Sequence, residues 1–389
     1  MDCVFADSHV ENQGGGFYSE NGSPIIRECT FIGNSAAAGA GFFCWGGEPL
    51  LIGCTFLENS ARGFGGGLGT EAGSAPEIRG CRFTGNEAGD GGGACVSASD
   101  ALISRCDFME NSADFGGGLS LVSAGSVTID RTVMAGNTAT TFGGGVHILY
   151  SGVDILRSTV AFNGCPGSGG GVYGFESDVI ANTVAVTHND GIGVVVDGGM
   201  LSLSYSDIFG NQGGEFSGDL PAGMGILTGV NTNGDSTDML SNIFQDPVYL
   251  GNDIFNLLPH GSSPLIDAGD PALPSDPDGS VGDIGAFPYA SPLVLDVSIM
   301  GGSLYLQWTG NDQASAYLVY GMNNSFHFNP SDGLLLEELS EGATTWSTDM
   351  GFDDPENQWM FRIVAIDGYE REITRSSGGG EFDQSWDLP

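Results

Sequence analysis

The sequence predicts an all-β chain: a parallel β-solenoid of about 25-residue coils followed by a small β-sandwich. Three observations predict it. A phrase of the form C-x-F-x-x-N-x-A recurs near one period, each strong copy runs into a glycine cluster, and glycine fills 66 of 389 positions, about 17% against a usual ~7%. Glycine at that density excludes an ordinary helical protein, because each helix-interior glycine costs about 1 kcal/mol relative to alanine. Collagen is excluded because no strict G-x-y register runs through the chain. A hydrophobic content of 40%, with 23 Phe, argues against disorder.

The strongest copies span residues 29–36, 54–61, 81–88 and 106–113, and lead into glycine clusters at 39–41, 65–67, 91–93 and 116–118. The asparagine slot continues at Asn137, Asn163, Asn189 and Asn211, and Ser8 holds it in the copy opened by Cys3 and Phe5. From Ser8 to Asn211 the successive spacings are 26, 25, 27, 25, 26, 26, 26 and 22 residues. Such a period, with β-forming phrases punctuated by glycine, suits a coil that pairs with the next one about 4.8 Å away. Long amphipathic helical runs and the L-x-x-L-x-L phrase of leucine-rich repeats are both absent.

Stacking in register turns each repeat position into a column. Cys and Phe lie two apart and so share a strand face. The Phe column reads Phe5, Phe31, Phe56, Phe83, Phe108, Met134, Val160, Val186, Ile208, apolar throughout, and must face inward. The column between Cys and Phe reads Val4, Thr30, Thr55, Arg82, Asp107, Val133, Thr159, Ala185, Asp207 and should face mostly outward. Burial of each Phe-column side chain is worth roughly 1.5–3 kcal/mol. The asparagines should form a structural turn ladder, each amide bonded to its copies above and below, in a residue type that tolerates left-handed backbone. Cys3, Cys29, Cys54, Cys81 and Cys106 form an inward column continued by Thr132 and Ser158. Neighbouring rungs lie within disulfide range, yet five in a row cannot all pair, so free, buried thiols acting as small hydrophobes are preferred. The glycine clusters are corners where backbones approach closely; without G-x-x-x-x-G-K-[ST] and without any Lys they are not phosphate loops.

The balance of 49 Asp+Glu against 10 Lys+Arg, all ten Arg, gives a net charge of −39. Such a surface repels nucleic acid and anionic lipid and attracts divalent cations, as suits a saline or calcium-rich exterior. No run reaches the 18 apolar residues of a membrane span, so membrane insertion is not expected. Met1 to Phe5 carry no signal-peptide pattern, which leaves a cytosolic chain or one whose leader and first coils lie upstream.

The Phe-x-x-Asn phrases followed by Gly-Gly resemble the repeats of chlamydial-type polymorphic outer membrane proteins and related right-handed parallel β-helix proteins over about residues 1–220. That resemblance implies the right-handed twist, an extracellular or cell-surface location, and an adhesin-like role. Residues 242–290, with Ser263-Pro264-Leu265-Ile266-Asp267-Ala268-Gly269, resemble the closing segment of secreted bacterial β-helix proteins and should form the C-terminal cap of a domain spanning 1–290. Residues 291–375 are similar to a fibronectin type III sandwich, with Trp308 as core tryptophan and Tyr317 and Tyr320 on its third strand. Residues 376–389 read as a flexible acidic tail.

Asp276, Asp278 and Asp283 form D-P-D-G-S-x-x-D, closely spaced oxygens around a glycine as a calcium loop requires. The commoner reading is an Asx-turn network. No cofactor is required by the rest of the sequence. Asn231, Asn233 and Asp235 are a weaker candidate of the same kind. Arg105, Arg131 and Arg157 should stack on adjacent coils, able to grip an anionic sugar, though pairing with Asp107, Asp130 and Asp154 is preferred. His147 and His188 lack a partner at ligand spacing and read as packed or solvated.

Two functions from different classes remain. The preferred one is a non-catalytic extracellular module, adhesin-like, glycan-binding or self-assembling. The alternative is a polysaccharide lyase or glycoside hydrolase on a pectate-lyase-like β-helix. Hydrolysis needs clustered carboxylates, whereas Asp107 and Asp207 stand four coils apart and Glu58 and Glu110 two. The Thr30, Thr55, Thr159 positions are too irregular for an ice-binding face. Because Cys3 and Phe5 already occupy their columns, the first coil should present an open edge, to be covered by upstream sequence or by head-to-tail stacking on another copy.

Overall fold

The computed structural model describes residues 3–166, 168–251, 254, 256–276 and 279–289, together with 295–300, 303–308, 316–323, 334–340, 343, 345–348, 359–366 and 372–375. Every regular element among them is a strand. Each full coil contributes up to four short strands, in the second coil Thr30–Ile32, Ser35–Ala38, Phe42–Trp45 and Leu50–Ile52. Stacked over successive coils these make four parallel sheets, I to IV in chain order, of nine, five, nine and eight strands, each strand pairing with its counterparts in the coils before and after.

Register follows the repeat. Phe5 pairs with Phe31, Phe31 with Phe56, Phe56 with Phe83 and Phe83 with Phe108. Their rings stack face to face inside the coil at 4.8, 4.7, 4.6 and 4.5 Å. Leu51, Ile78, Ile103, Ile129 and Ile155 of sheet IV and Leu68, Val96, Leu121 and Ile148 of sheet III complete the core. No helix is needed, because the alternation of side chains along each short strand delivers one apolar residue per rung to the interior.

The corners show how the phrase works. Every asparagine of the ladder from Asn34 to Asn211 is buried, and left-handed geometry falls on the residue before the ladder position, Ser8 included: Asp7, Gly33, Glu58, Gly85, Glu110, Gly136, Phe162, His188 and Gly210, with φ between 52° and 70°. The ladder asparagines, though of a type that tolerates left-handed backbone, do not themselves adopt it. The turn residue points outward and costs backbone strain, leaving asparagine to aim its amide along the solenoid axis. Asn59 donates from Nδ2 to Asn86 Oδ1 (3.0 Å) and to Phe31 O (2.9 Å), and its Oδ1 accepts from Asn34 N and Nδ2 (3.1 and 2.9 Å). All four of its amide valences are used.

The cysteine column also does more than fill volume. Cys54 N donates to Cys81 Sγ (3.4 Å), Cys106 N to Thr132 Oγ1 (3.3 Å) and Thr132 N to Ser158 Oγ (3.1 Å). Sulfur and hydroxyl interchange because each accepts the amide of the preceding coil. All eight cysteines are free, and Cys3 alone is exposed.

Closure of the C-terminal end begins upstream of residue 242: Met224, Leu240 and Phe244 pack on the last rung, and Phe216 meets Phe244 edge-on at 5.9 Å. Ile243 adds one more parallel bridge, to Asp207. The described residues between Gln245 and Tyr289 then double back along the outer face of sheet I. Leu257 and Ala286 cover Val133, Ala135 and Ala161, while Leu265, Ala268 and Ile284 cover Ala185.

The chain divides into compact units at Tyr289/Ala290. The second unit contains an antiparallel three-stranded sheet, ordered Leu295–Met300, Ser303–Trp308, Thr345–Thr348, and a four-stranded one, ordered Leu334–Ser340, Ala316–Asn323, Trp359–Ile366, Glu372–Arg375. Leu306, Tyr317, Val319 and Trp346 are buried there. The side chains of Trp308 and Tyr320, and all of 376–389, lie outside the described residues.

Candidate functional site

Sheets II and III meet at a re-entrant corner. A Cβ on Gly65 would lie 2.3 Å from Leu68 O and 2.7 Å from Gly69 Cα, so the end of sheet II folds tightly against the outward face of sheet III. Phe43, Cys95, Ser120, His147 and Tyr173, although they point away from the solenoid interior, are therefore buried. Facing them, at the last position of sheet II, a second column runs Ala38, Phe64, Asp90, Phe115, Phe142 in register. Phe115 packs on His147 (5.4 Å) and Phe142 stacks on Tyr173 (4.3 Å, 13°), while Phe64, Asp90, Phe115 and Phe142 each remain partly exposed. The result is a trough along the solenoid axis with aromatic rings standing in its wall. Its signal stands three times in the sequence, as Phe-Gly-Gly-Gly at 64–67, 115–118 and 142–145.

Electrostatics in the trough are set by burial. The His147 imidazole is driven down to about 4 by desolvation and is neutral at pH 7; its Nδ1 lies 3.2 Å from Ser120 Oγ. The Asp90 carboxyl is raised first by burial and then by the charge of Asp114. Asp114, exposed, accepts from Thr140 Oγ1 at 2.7 Å. His147 is thus a packed histidine, and at His188 the ring stacks on Phe162 at 5.1 Å.

The outward column of sheet I divides in two. Thr30, Thr55, Arg82 and Asp107 reach solvent, whereas Val133, Thr159, Ala185 and Asp207 are buried beneath residues 245–289, contrary to their expected exposure. The shift from Thr, Arg and Asp to Val, Thr and Ala was a usable signal of that cover. Asp207 Oδ1 accepts from Gln245 N (3.1 Å), while its buried Oδ2 has no partner; burial raises its carboxyl strongly, reinforced by Glu215, Asp246 and Asp235. Tyr249 OH lies 3.0 Å from Thr187 Oγ1 in the same layer, and burial raises the phenol.

The carboxylates weighed for hydrolysis are not brought together: Asp107 pairs with Arg82 at 3.7 Å, Asp207 is covered, and Glu58 and Glu110 occupy left-handed corner positions two coils apart. Arg105, Arg131 and Arg157 stack at a corner of their own, with φ of 52°, 48° and 42°. Arg157 forms a two-point ion pair with Asp130 (2.8 and 2.9 Å). Arg131 is lowered by burial and then by its neighbours Arg157 and Arg105, which places the three charges side by side. Asp154 is exposed on the outer face of sheet IV.

At the calcium candidate, Asp278 lies outside the described residues. Asp276 Oδ2 accepts from Asp283 N (2.9 Å), Asp283 Oδ1 from Asp267 N (2.7 Å) and Asp283 Oδ2 from Tyr289 N. Oxygens aimed at backbone amides form an Asx-type network among Asp267, Asp276 and Asp283. Burial raises the Asp283 carboxyl to about 7, against the two amide bonds that lower it. Asn231 Oδ1 likewise accepts from Asn233 N and Asp235 N (3.0 and 2.8 Å), closing a hairpin turn. Among the described residues no group of three or more His, Cys, Asp or Glu is arranged to hold a metal, and no helix is long and apolar enough to cross a membrane.

Residues 1–134 match the family model described as right handed beta helix region. Residues 4–209 fold as a β-helix repeat. No curated protein matches the chain. In this right-handed parallel β-helix the repeat continues through the sheet I strand Asp207–Phe209, well past the matched segment.

Proposed function

We propose that this β-helix protein is a non-catalytic extracellular module, adhesin-like, whose outward columns hold a surface polymer lengthwise. The carrying observation is the column of partly exposed rings in the trough between sheets II and III. Rings held against a rigid wall lose little conformational freedom on binding, and a rod of identical rungs offers a polymer the same contact repeatedly. The likeness of the repeats to those of polymorphic outer membrane proteins supports the surface setting, as does the net charge of −39. The three-plus-four antiparallel strand order after residue 290 supports a fibronectin type III-like spacer. Glycans take precedence over self-stacking as partners, because Met224, Leu240 and Phe244 already cover the core at the C-terminal end.

The test is incubation of the purified chain with a panel of neutral and acidic polysaccharides, scoring both retention and cleavage. Retention without new reducing ends or unsaturated uronate ends is expected. Turnover of any member would overthrow the non-catalytic assignment in favour of a lyase or hydrolase.

A further inference from the structure

We propose that the trough between sheets II and III is a binding site for an extended neutral polysaccharide, with sugar rings stacked on Phe64, Phe115 and Phe142 and their hydroxyls donating to Asp90 and Asp114. This assignment rests on the binding role proposed above and names its site and ligand class.

Four features point to it. First, the rings are oriented in advance: Phe115 is held by His147 at 5.4 Å and Phe142 by Tyr173 at 4.3 Å, and both remain partly exposed. An aromatic face carries partial negative charge and attracts the weakly positive C–H face of a sugar ring. Second, the spacing suits a polymer. Phe64, Asp90, Phe115 and Phe142 occupy successive rungs of one column, and the Phe115 and Phe142 ring centroids stand 6.1 Å apart, of the order of one sugar unit in an extended chain. Third, acceptors alternate with the rings. Asp90 lies between Phe64 and Phe115, and Asp114 sits close enough to raise its carboxyl. Carboxylates are acceptors only and suit hydroxyl donors. Fourth, charge sets the class. With Asp90 and Asp114 in the wall and a net charge of −39, an anionic polymer is repelled, and the arginine column Arg105, Arg131, Arg157 stands at a different corner of the coil.

Affinity electrophoresis of the full chain, in gels carrying xylan, hydroxyethylcellulose or polygalacturonate, tests the assignment. The wild-type chain should be retarded by at least one of the two neutral polymers and not by polygalacturonate. Phe115→Ala with Phe142→Ala should weaken that retardation roughly tenfold, equivalent to about 1.4 kcal/mol. Phe115→Tyr with Phe142→Tyr should retain it, and Trp45→Ala, at the far edge of sheet III, should leave it unchanged. Should the alanine pair fail to fold by circular dichroism, Asp90→Asn with Asp114→Asn decides, because it spares the rings and should still weaken retardation. Retardation by a neutral polymer that survives both pairs in folded protein overturns the site but leaves the binding role standing. Retardation by polygalacturonate alone overturns the ligand class. A wild-type chain retarded by none of the three overturns this assignment, and the wider polysaccharide panel then decides the binding role.

Discussion

Asn86→Ala is the sharpest probe of what holds the coils together. Asn86 Nδ2 donates to Phe56 O and to Asn111 Oδ1, both at 2.9 Å, and its Oδ1 accepts from Asn59 N and Asn59 Nδ2, both at 3.0 Å. Truncation leaves Asn59 N, one Asn59 Nδ2 hydrogen and Phe56 O without these partners, in surroundings where Asn59, Asn86 and Phe56 are fully buried. At about 1–3 kcal/mol for each of these three buried polar groups left unmade, the expected loss is about 3–9 kcal/mol. Asn34→Ala, one rung from the N-terminal end of the ladder, faces the half-buried Ser8 and Phe5, so water can replace the lost bonds and the cost should be about 1 kcal/mol. Asn86→Asp sets a third level. At pH 7 its second oxygen would face two acceptors, Phe56 O and Asn111 Oδ1, so it should be less stable than the alanine variant, and acid should partly restore it. Urea unfolding followed by far-UV circular dichroism, with hydrogen exchange at the Asn59 amide as a local readout, measures all three, since a solenoid need not unfold as one unit. A loss below about 1 kcal/mol for Asn86→Ala, or one no larger than for Asn34→Ala, would refute the view that the amide ladder is a principal tie between coils.

Three further outcomes are expected. Phe83→Ala should cost about 3–5 kcal/mol, because it empties a rung between Phe56 at 4.6 Å and Phe108 at 4.5 Å; a drop in the urea midpoint no greater than that of a surface control would count against the ring stack. Gly117→Ala places a Cβ 2.4 Å from Thr138 O and 2.6 Å from Gly144 O, whereas Gly234→Ala meets nothing within 4 Å and bears only the strain of φ 90°. Gly117→Ala should therefore lower the melting temperature by far the more, and equal effects would show that the corner can relax. Asp283, at about 7 when folded against ~3.9 in an unfolded chain, holds a proton in the folded state that the unfolded chain has lost between those values. Its contribution is full below pH 4 and is lost as pH rises through 7, by up to about 4 kcal/mol. The raised Asp207 acts in the same direction. Residues 263–289 should exchange faster at pH 8 than at pH 5 after correction for intrinsic rates, and the opposite order would show that Asp283 is not buried as described.

The Phe, Cys and Asn columns could be read as register, as well as composition, because a parallel in-register stack repeats one local environment in every coil. Phe31 predicts the surroundings of Phe56 as soon as the period is known. What the phrase alone left open were finer points of local geometry. The left-handed corner fell to Glu58 and Glu110, outside the asparagines, because an outward residue can bear strain while the inward amide keeps all four bonds. Cys81 turned out to accept the amide of the preceding coil, as Thr132 and Ser158 do, which explains those two replacements better than volume does. The trough was half-legible: Phe-Gly-Gly-Gly was visible three times, but only the folded corner shows that its Phe meets the outward His147 and Tyr173.

Sequence alone determined the period, the inward and outward columns and the stacking of coil on coil, since each depends on residues no farther apart than one repeat. Tertiary structure decided which outward residues are covered and which carboxyls are pushed toward their neutral form. Ala286 N reaches Thr159 Oγ1 across 127 residues, and Asp270 N reaches Thr183 Oγ1 across 87. Desolvation at Asp207 and Asp283 is a property of that returning segment against the sheet, and it is encoded in no repeat.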